Sequence, residues 1–336
     1  MKHSRNALVL LSVAVVLTAT SCSPLSNPFA QSKSESERNL FTGLPGKNGE
    51  VLAVKFDDTR AAHPQQGVES ADLVFVTQVE AGLTRLLAIY SSNYPGLIGP
   101  IRSARISDID ILAQFGKVGF AYSGAQSNMR PILAAADLVN LSAEKNSAKI
   151  YPEDPNRDRP YAMMLHPNLL LEKAEQLAVP QDIGIQHGKA SSSAQLIDSV
   201  KIKWPNARYE ARWDSALNRF QLWHDGQPDL STTGTQLGSP MMVIQMVEIH
   251  PSEFGDKFGG ITPKSTVVGS GKGYFLREGA MTPVNWSRKD AASPTIWSLA
   301  DGKQAFFAPG QIWFFLTDRE PEFVYSKAGI GTTSGK

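Results

Sequence analysis

All six tryptophans of this chain lie between Trp204 and Trp313, in a part of the sequence made of short aromatic and β-branched runs. Turn signals such as Asp225-Gly226, Gly259-Gly260 and Asp301-Gly302 separate these runs, a pattern typical of strands joined by tight turns. The runs are Lys201–Trp204, Tyr209–Trp213, Phe220–Trp223, Met241–Ile249, Gly273–Leu276 and Gln311–Leu316. The second half of the chain is therefore predicted to be a mainly antiparallel β domain.

The first half alternates between strand-like and helix-like segments. Predicted strands, with Ala81-Gly82 turning a hairpin, cover Val51–Phe56, Ala71–Val79, Leu83–Tyr90 and Val118–Tyr122. Apolar residues at helical spacing predict helices over Ser103–Phe115, Asn128–Val139 and Asn168–Ala178, the last with Asn168 as its N-cap. The composition changes near residues 188–194, which we take as the boundary between two domains. We therefore predict an α+β protein, with a mixed α/β domain over residues 40–187 and a β-rich domain over residues 195–328.

The N-terminus has the layout of a secretory signal peptide. Lys2 and Arg5 precede the uncharged stretch Ala7–Ala19, which is shorter than the roughly 20 residues that a membrane span needs. The following Ala19–Cys22 (ATSC) resembles a bacterial lipobox and contains the single cysteine of the chain. We therefore expect residues 1–21 to be removed and Cys22 to be acylated, which would anchor the protein to the outer face of the cytoplasmic membrane. A retained signal anchor and ordinary export are the alternatives.

Composition limits the class of partner. Residues 22–39 are Ser-rich and polar and are predicted to be a flexible tether, and residues 329–336 a frayed tail. The chain carries 33 basic and 32 acidic side chains, a net charge of +1, and loss of Lys2 and Arg5 with the signal peptide gives +1 − 2 = −1. A mature protein with this charge has no general attraction to nucleic acid or anionic lipid, so we expect no nucleic-acid partner and a membrane contact through the lipid anchor.

The strongest local signal for function is the heptad Gly99–Arg105 (GPIRSAR) at the start of a predicted helix. Arg102 and Arg105 are three residues apart and would share a helix face. A cation is disfavoured at a helix N-terminus, so an anion is expected to compensate them. That anion is either an external ligand or a carboxylate of the same chain, with Asp108, Asp110 and Glu80 as candidates.

Further candidates surround this motif. Arg85 would join the two arginines if its strand lies beside the helix start, with Glu80 and Asp58 nearby. Asp57 and Asp58 follow a strand end and could hold Mg²⁺ or Ca²⁺, although adjacent aspartates in a turn more often bond the local backbone.

Three other residues are candidates for ligand contacts. Ser123 follows a strand but lacks the Gly-x-Ser-x-Gly frame of a hydrolase nucleophile. His166 is a candidate general base or anion contact, or a structural residue at a helix start, and Asn168 is a cap or a ligand. No two histidines stand at metal-ligand spacing and no phosphate-binding Gly-x-x-x-x-Gly-Lys loop occurs, so no metal or cofactor is predicted.

The heptad resembles that of the YerB-type lipoprotein family, a bacterial group defined by a domain of unknown function. The similarity extends through Val54–Asp58, Gln65–Gly67 with Ala71-Asp72, Val79–Arg85 and Arg159–Asn168. The resemblance implies an N-terminal α/β part and a C-terminal part rich in Gly and Trp strands. The chain departs from the family's usual residues by having Asp58 for Asn, His63 for Arg and Ala81 for Gly, and by placing Pro167 between His166 and Asn168.

Three hypotheses for function follow. The first is an envelope lipoprotein without catalysis, which binds an anionic ligand or envelope partner in a pocket formed by Arg85, Arg102 and Arg105. The second is a cell-wall glycopolymer phosphotransferase acting on a lipid-linked pyrophosphate, by analogy with the LytR-CpsA-Psr enzymes, which also use arginines. The third is a scaffold for envelope assembly whose β half makes the contact.

Overall fold

The structure, a computed structural model, describes residues 37–255 and 259–327, which belong to one compact unit. The predicted signal peptide, Cys22 and the predicted tail lie outside these residues, as does the predicted tether up to residue 36. Residues 37–39 are part of the fold: Asn39 is buried, and its amide donates to Ser91 Oγ at 2.9 Å. No helix in the described ranges is long and apolar enough to cross a membrane.

Strands dominate the secondary structure. In the first half they are β1 (Leu52–Asp57), β2 (Leu73–Gln78), β3 (Thr84–Tyr90), β4 (Val118–Ala121) and β5 (Leu138–Asn140). The second half contains β6 (Gln195–Lys203), β7 (Arg208–Asp214), β8 (Arg219–His224), β9 (Gln227–Pro228), β10 (Gly238–Ser239), β11 (Met241–Met246), β12 (Ile249–Gly255), β13 (Ile261–Ser265), β14 (Gly269–Arg277), β15 (Ala280–Arg288), β16 (Ile296–Ser298), β17 (Ile312–Thr317) and β18 (Glu322–Tyr325). The helices are α1 (Ile106–Leu112), α2 (Arg130–Ala135) and α3 (Pro167–Leu171).

Both halves of the chain contribute to one large mixed sheet. Its strand order is β10-β8-β7-β6-β15-β14-β11-β17-β2-β3-β1-β4-β5, with β16, β18 and β9 paired to β15, β6 and β8. β12 and β13 form a separate antiparallel hairpin. The predicted hairpin at Ala81-Gly82 is confirmed, since β2 and β3 pair antiparallel across it.

β17 joins the two halves. It lies parallel to β11 on one side and parallel to β2 on the other, with Phe314 opposite Val243 of β11 and Phe75 of β2. The prediction of a mainly antiparallel second half holds for β6, β7, β8, β14 and β15 but not for β17. A run of apolar residues does not reveal which strands it pairs with or in which direction.

The central strands are buried on both faces. In β17, Trp313 and Phe315 pack into one hydrophobic cluster, whereas Ile312, Phe314 and Leu316 pack into another on the opposite face. Successive strand residues point to opposite faces. A strand that lies between two hydrophobic cores therefore needs an apolar residue at every position. This explains why these segments read as continuous apolar stretches rather than as alternating patterns.

The helices are shorter than the sequence predicts. α1 begins at Ile106 rather than Ser103, because its N-cap Arg105 is extended and the residues before it hydrogen-bond to neighbouring chain: Arg102 N–H donates to Lys55 O and Ala104 N–H to Gly124 O. α2 ends at Ala135, and residues 138–140 form β5 beside β4. Backbone hydrogen bonds to other segments replace the helical ones in both places: to Lys55 and Gly124 before α1, and to β4 after α2.

The third predicted helix also begins and ends differently. Pro167 occupies its first turn and His166 flanks its start, so Asn168 lies inside the helix and is not its N-cap. The helix ends at Leu171, and Gln176 has a φ of +57°, a left-handed conformation that a right-handed helix does not contain. The protein is consequently more β-rich than a balanced α+β fold.

The position of β17 makes its buried aromatic residues critical for stability. Phe315 is fully buried, and we expect Phe315→Ala to lower the free energy of unfolding by about 3–5 kcal/mol, because it removes the ring and leaves a cavity. Urea unfolding followed by circular dichroism measures the loss. Phe306→Ala is the matched control, since Phe306 is 40% exposed, and equal losses in the two variants would contradict this description of the core.

Candidate functional site

The structure brings Arg85, Arg102 and Arg105 together around one cavity of about 610 Å³. Arg85 lies in β3 directly opposite Asp57 of β1. Arg102 and Arg105 lie on the extended segment before α1, which is held between Lys55 and Ser123 by backbone hydrogen bonds. The cavity thus forms where the ends of two strands meet the connection to a helix.

Two of the three arginines are paired with carboxylates. Arg102 Nε lies 2.7 Å from Asp57 Oδ2, and Arg105 Nε lies 2.7 Å from Glu80 Oε1. Glu80 therefore lies beside the arginines, as the sequence predicts. Asp57, not Asp58, is the aspartate beside them.

Arg85 differs from the other two. Its Nη1 donates to Ser103 O at 3.0 Å, and no carboxylate of residues 37–255 or 259–327 forms an ion pair with it. It is only 9% exposed. Burial and the neighbouring charge of Arg105 lower the pKa of Arg85 to about 9, so it remains a cation at neutral pH. Three guanidinium groups and the carboxylates of Glu80 and Glu144 line the cavity, which gives its wall a net charge of +3 − 2 = +1, and Asp57 is paired with Arg102 beside them.

The second half of the chain closes one side of this cavity. Phe254, Gly255 and Thr262 of the β12–β13 hairpin line it, and Thr262 Oγ1 donates to Glu80. Gly255 N–H donates to the Gln126 side chain at 3.3 Å. Residues from three distant parts of the sequence therefore share this cavity, and no local sequence signal connects them.

The helix-dipole reason for expecting an anion here applies to Arg105 alone, which is the N-cap residue of α1. Arg102 lies outside α1, and the N–H of Arg105 donates to Asp108 Oδ2 at 2.7 Å. The same carboxylate binds Lys55, whose Nζ lies 2.6 Å from Asp108 Oδ1, with both side chains fully buried. Burial lowers the pKa of Lys55, and Asp108 opposes this effect. Asp108 thus holds the arginine segment against β1.

Four predicted site residues do not line the cavity: Asp58, which belongs to another cluster, and Ser123, His166 and Asn168. Ser123 lies behind its wall, where Ser123 N–H donates to Arg102 O at 3.0 Å. His166 Nδ1 lies 2.7 Å from Gly96 O, and Asn168 is exposed on α3. Tyr161, which precedes His166 in the chain, does approach the site, and the centre of its ring lies 5.8 Å from the Arg102 guanidinium carbon.

Asp58 belongs to a second polar cluster. Consecutive residues at the end of β1 point in opposite directions, so Asp57 faces the arginines while Asp58 faces His63 and His224. Asp58 Oδ1 lies 3.3 Å from His63 Nε2, and its Oδ2 lies 3.8 Å from His224 Nε2. These three residues are the group of potential metal ligands found within the described ranges.

Hydrogen bonds and charges fix the protonation states in this cluster. Burial raises the pKa of Asp58, but the nearby histidines outweigh it and lower that pKa to about 2. Burial lowers the pKa of His63, but Asp229 and Asp58 outweigh it and raise that pKa to about 10. The sequence did not reveal this cluster, because His63 and His224 lie 161 positions apart (224 − 63).

Two family models match the chain. The N-terminal domain of a protein of unknown function, DUF3048, covers residues 41–180, and the C-terminal domain of the same family covers residues 200–314. The chain belongs to this family. The heptad and the arginine cavity lie within the N-terminal match, whereas the β12–β13 hairpin lies within the C-terminal match.

A curated relative agrees with this assignment. The chain is 23% identical over 276 residues to a Bacillus subtilis (strain 168) protein named "Putative lipoprotein YerB", covering 78% of this chain and 79% of the relative. The crystal structure of the YerB protein from Bacillus subtilis matches with a TM-score of 0.71 at 19% identity, covering 85% of this chain and 99% of that one. The resemblance to the YerB-type family is thereby confirmed, and the fold is shared.

The buried Lys55–Asp108 pair generates a prediction about stability. We expect Asp108→Asn to lower the free energy of unfolding by about 3–5 kcal/mol, because it leaves the buried Lys55 ammonium without a counter-charge. Chemical denaturation measures this. Adding Lys55→Met in the same chain should recover part of the loss, and a double variant less stable than Asp108→Asn would argue against the pair.

Proposed function

We propose that this protein is a membrane-anchored lipoprotein that binds an anionic ligand in the arginine cavity. The observation that carries the proposal is Arg85, a buried guanidinium group for which the described residues supply no carboxylate partner. Burying an unpaired cation is costly. A ligand anion that enters beside Arg85 would remove this cost.

The chemistry of the cavity favours a phosphate- or carboxylate-bearing ligand. Guanidinium groups bind such planar or tetrahedral oxyanions through pairs of N–H donors. Arg102 and Arg105 are held in place by Asp57 and Glu80, so they are oriented before the ligand arrives. A volume of about 610 Å³ is in the range of small-molecule sites.

The lipid anchor is proposed from the N-terminal sequence. Ala7–Ala19 followed by Ala19–Cys22 fits an exported chain that is acylated on its first mature residue. A relative named as a lipoprotein supports this. The anchor would place the folded part, from residue 37 onwards, outside the cytoplasmic membrane.

Acylation of Cys22 is directly testable. Labelled palmitate fed to cells should be incorporated into the wild-type chain but not into Cys22→Ser, because the Cys22 sulfur is the atom that carries the diacylglycerol, and mass spectrometry should place the mature N-terminus at residue 22. Ser23→Ala is the neighbouring control and should label normally. Label in Cys22→Ser, or none in the wild type, would rule out this anchor.

Removing the Arg85 charge should separate binding from stability. Isothermal titration calorimetry with inorganic pyrophosphate as the probe should show binding that Arg85→Met weakens at least tenfold, since a charged hydrogen-bond donor is lost. Thermal stability without ligand should stay the same or rise, because Arg85→Met relieves repulsion with Arg105 and Arg102.

Arg85→Lys is the matched control for charge. It keeps the cation but loses the planar pair of donors, so its affinity should fall between those of the wild type and Arg85→Met. A large loss of stability in Arg85→Met with unchanged pyrophosphate binding would instead identify Arg85 as a structural residue. If the wild type turned over a polyprenyl-pyrophosphate, the phosphotransferase hypothesis would replace the hypothesis of binding without catalysis.

A further inference from the structure

A second polar cluster lies at the junction of the two halves of the chain, away from the arginine cavity. Asp58 and His63 come from the first half, and Tyr209, His224 and Asp229 from the second. The side chains of Asp58 and Asp229 are fully buried, and His224 is 6% exposed. Such a concentration of buried polar groups requires complete pairing, or it costs stability.

Several buried polar atoms of this cluster lack a hydrogen-bond partner. His63 Nε2, His224 Nε2 and Asp229 Oδ2 are buried and have no hydrogen-bond partner in the described part of the chain. Meanwhile Asp229 Oδ1 lies 3.0 Å from His63 Nδ1. If His63 Nδ1–H donates a hydrogen bond to Asp229, the other ring nitrogen, Nε2, faces Asp58 at 3.3 Å. Nε2 then carries a proton when the ring is charged and a lone pair when it is neutral. The positive charge that the Asp58 carboxylate faces is supplied either by the proton on Nε2 or by a metal ion that displaces this proton.

We propose that Asp58, His63 and His224 bind a zinc ion. Their ligand atoms all lie within 4.8 Å of one another, close enough for bonds of about 2.0–2.2 Å to one metal after small side-chain movements. Two imidazoles and one carboxylate suit Zn²⁺, whereas Mg²⁺ and Ca²⁺ prefer oxygen ligands alone.

The surroundings of the three ligands are those of a metal site. Asp229 on His63 Nδ1 fixes the tautomer that frees Nε2, an arrangement common to zinc-binding histidines. The Asp58 carboxylate accepts hydrogen bonds from Thr84 Oγ1 at 2.6 Å and from Tyr209 O–H at 2.8 Å, which orient it. His63 is the most exposed of the three ligands, with 16% of its side chain accessible, and offers the route for the ion and for a water as fourth ligand.

Binding requires one rearrangement. The His63 and His224 rings are stacked, with centroids 4.7 Å apart and planes 10° from parallel, whereas a metal lies in the plane of each imidazole that binds it. The two rings must therefore tilt apart when zinc enters. Because His63 and His224 belong to different halves of the chain, the ion would also link these halves and stabilise the fold.

The test uses the full-length chain, purified in detergent and stripped with EDTA. Titration should show one Zn²⁺ bound per chain, with a rise in melting temperature that Mg²⁺ and Ca²⁺ do not produce. Co²⁺ in place of Zn²⁺ should give the intense visible bands of a four-coordinate site. The absence of stoichiometric Zn²⁺ binding by the unmodified chain would overturn the proposal, whatever the variants do, and would identify the cluster as a buried ion-pair network.

Variants assign the ligands. His224→Gln and Asp58→Asn should each weaken Zn²⁺ binding more than a hundredfold, and Asp229→Asn should weaken it about 10–100-fold because it acts through His63. His250→Gln is the control, since His250 is exposed and outside the cluster. Circular dichroism establishes that each variant is folded, and folded ligand variants that bind Zn²⁺ as tightly as the wild type would refute the assignment.

Discussion

The fold depends on the backbone hydrogen bonding of β17. This strand comes from the end of the described chain and lies between β2 of the first half and β11 of the second. A strand buried on both faces cannot leave its N–H and C=O groups unpaired without a large cost. The pairing of β17 therefore makes one sheet out of two sequence halves and brings the β12–β13 hairpin against the arginine segment.

Both polar sites follow from this arrangement. β1 ends at Asp57 and Asp58 follows it, and the alternation of side chains along extended chain sends Asp57 to one side and Asp58 to the other. Asp57 pairs with Arg102, while Asp58 meets histidines from both halves. Two carboxylates that look like one motif in the sequence thus serve two separate clusters, each completed by residues of the second half.

The arginine cavity combines compensated and uncompensated charge. Arg102 and Arg105 are paired with carboxylates, in agreement with the alternative that the chain neutralises its own arginines. Arg85 is not paired in this way among the described residues, although it is the most buried of the three. A site with two fixed ion pairs and one buried free cation is suited to bind an anion without rearranging, because the positioning groups are already held.

The sequence by itself determined several of the central strands, the hairpin at Ala81-Gly82 and the family, because these depend on local composition and on motifs of neighbouring residues. Only the tertiary structure decided that β17 is parallel to both its neighbours, that α1 begins at Ile106, and that His63 and His224 meet at Asp58. These features depend on contacts between residues far apart in the chain. Strand pairing, hydrogen bonding and charge pairing across such distances are set by how the whole chain packs, and no local pattern contains them.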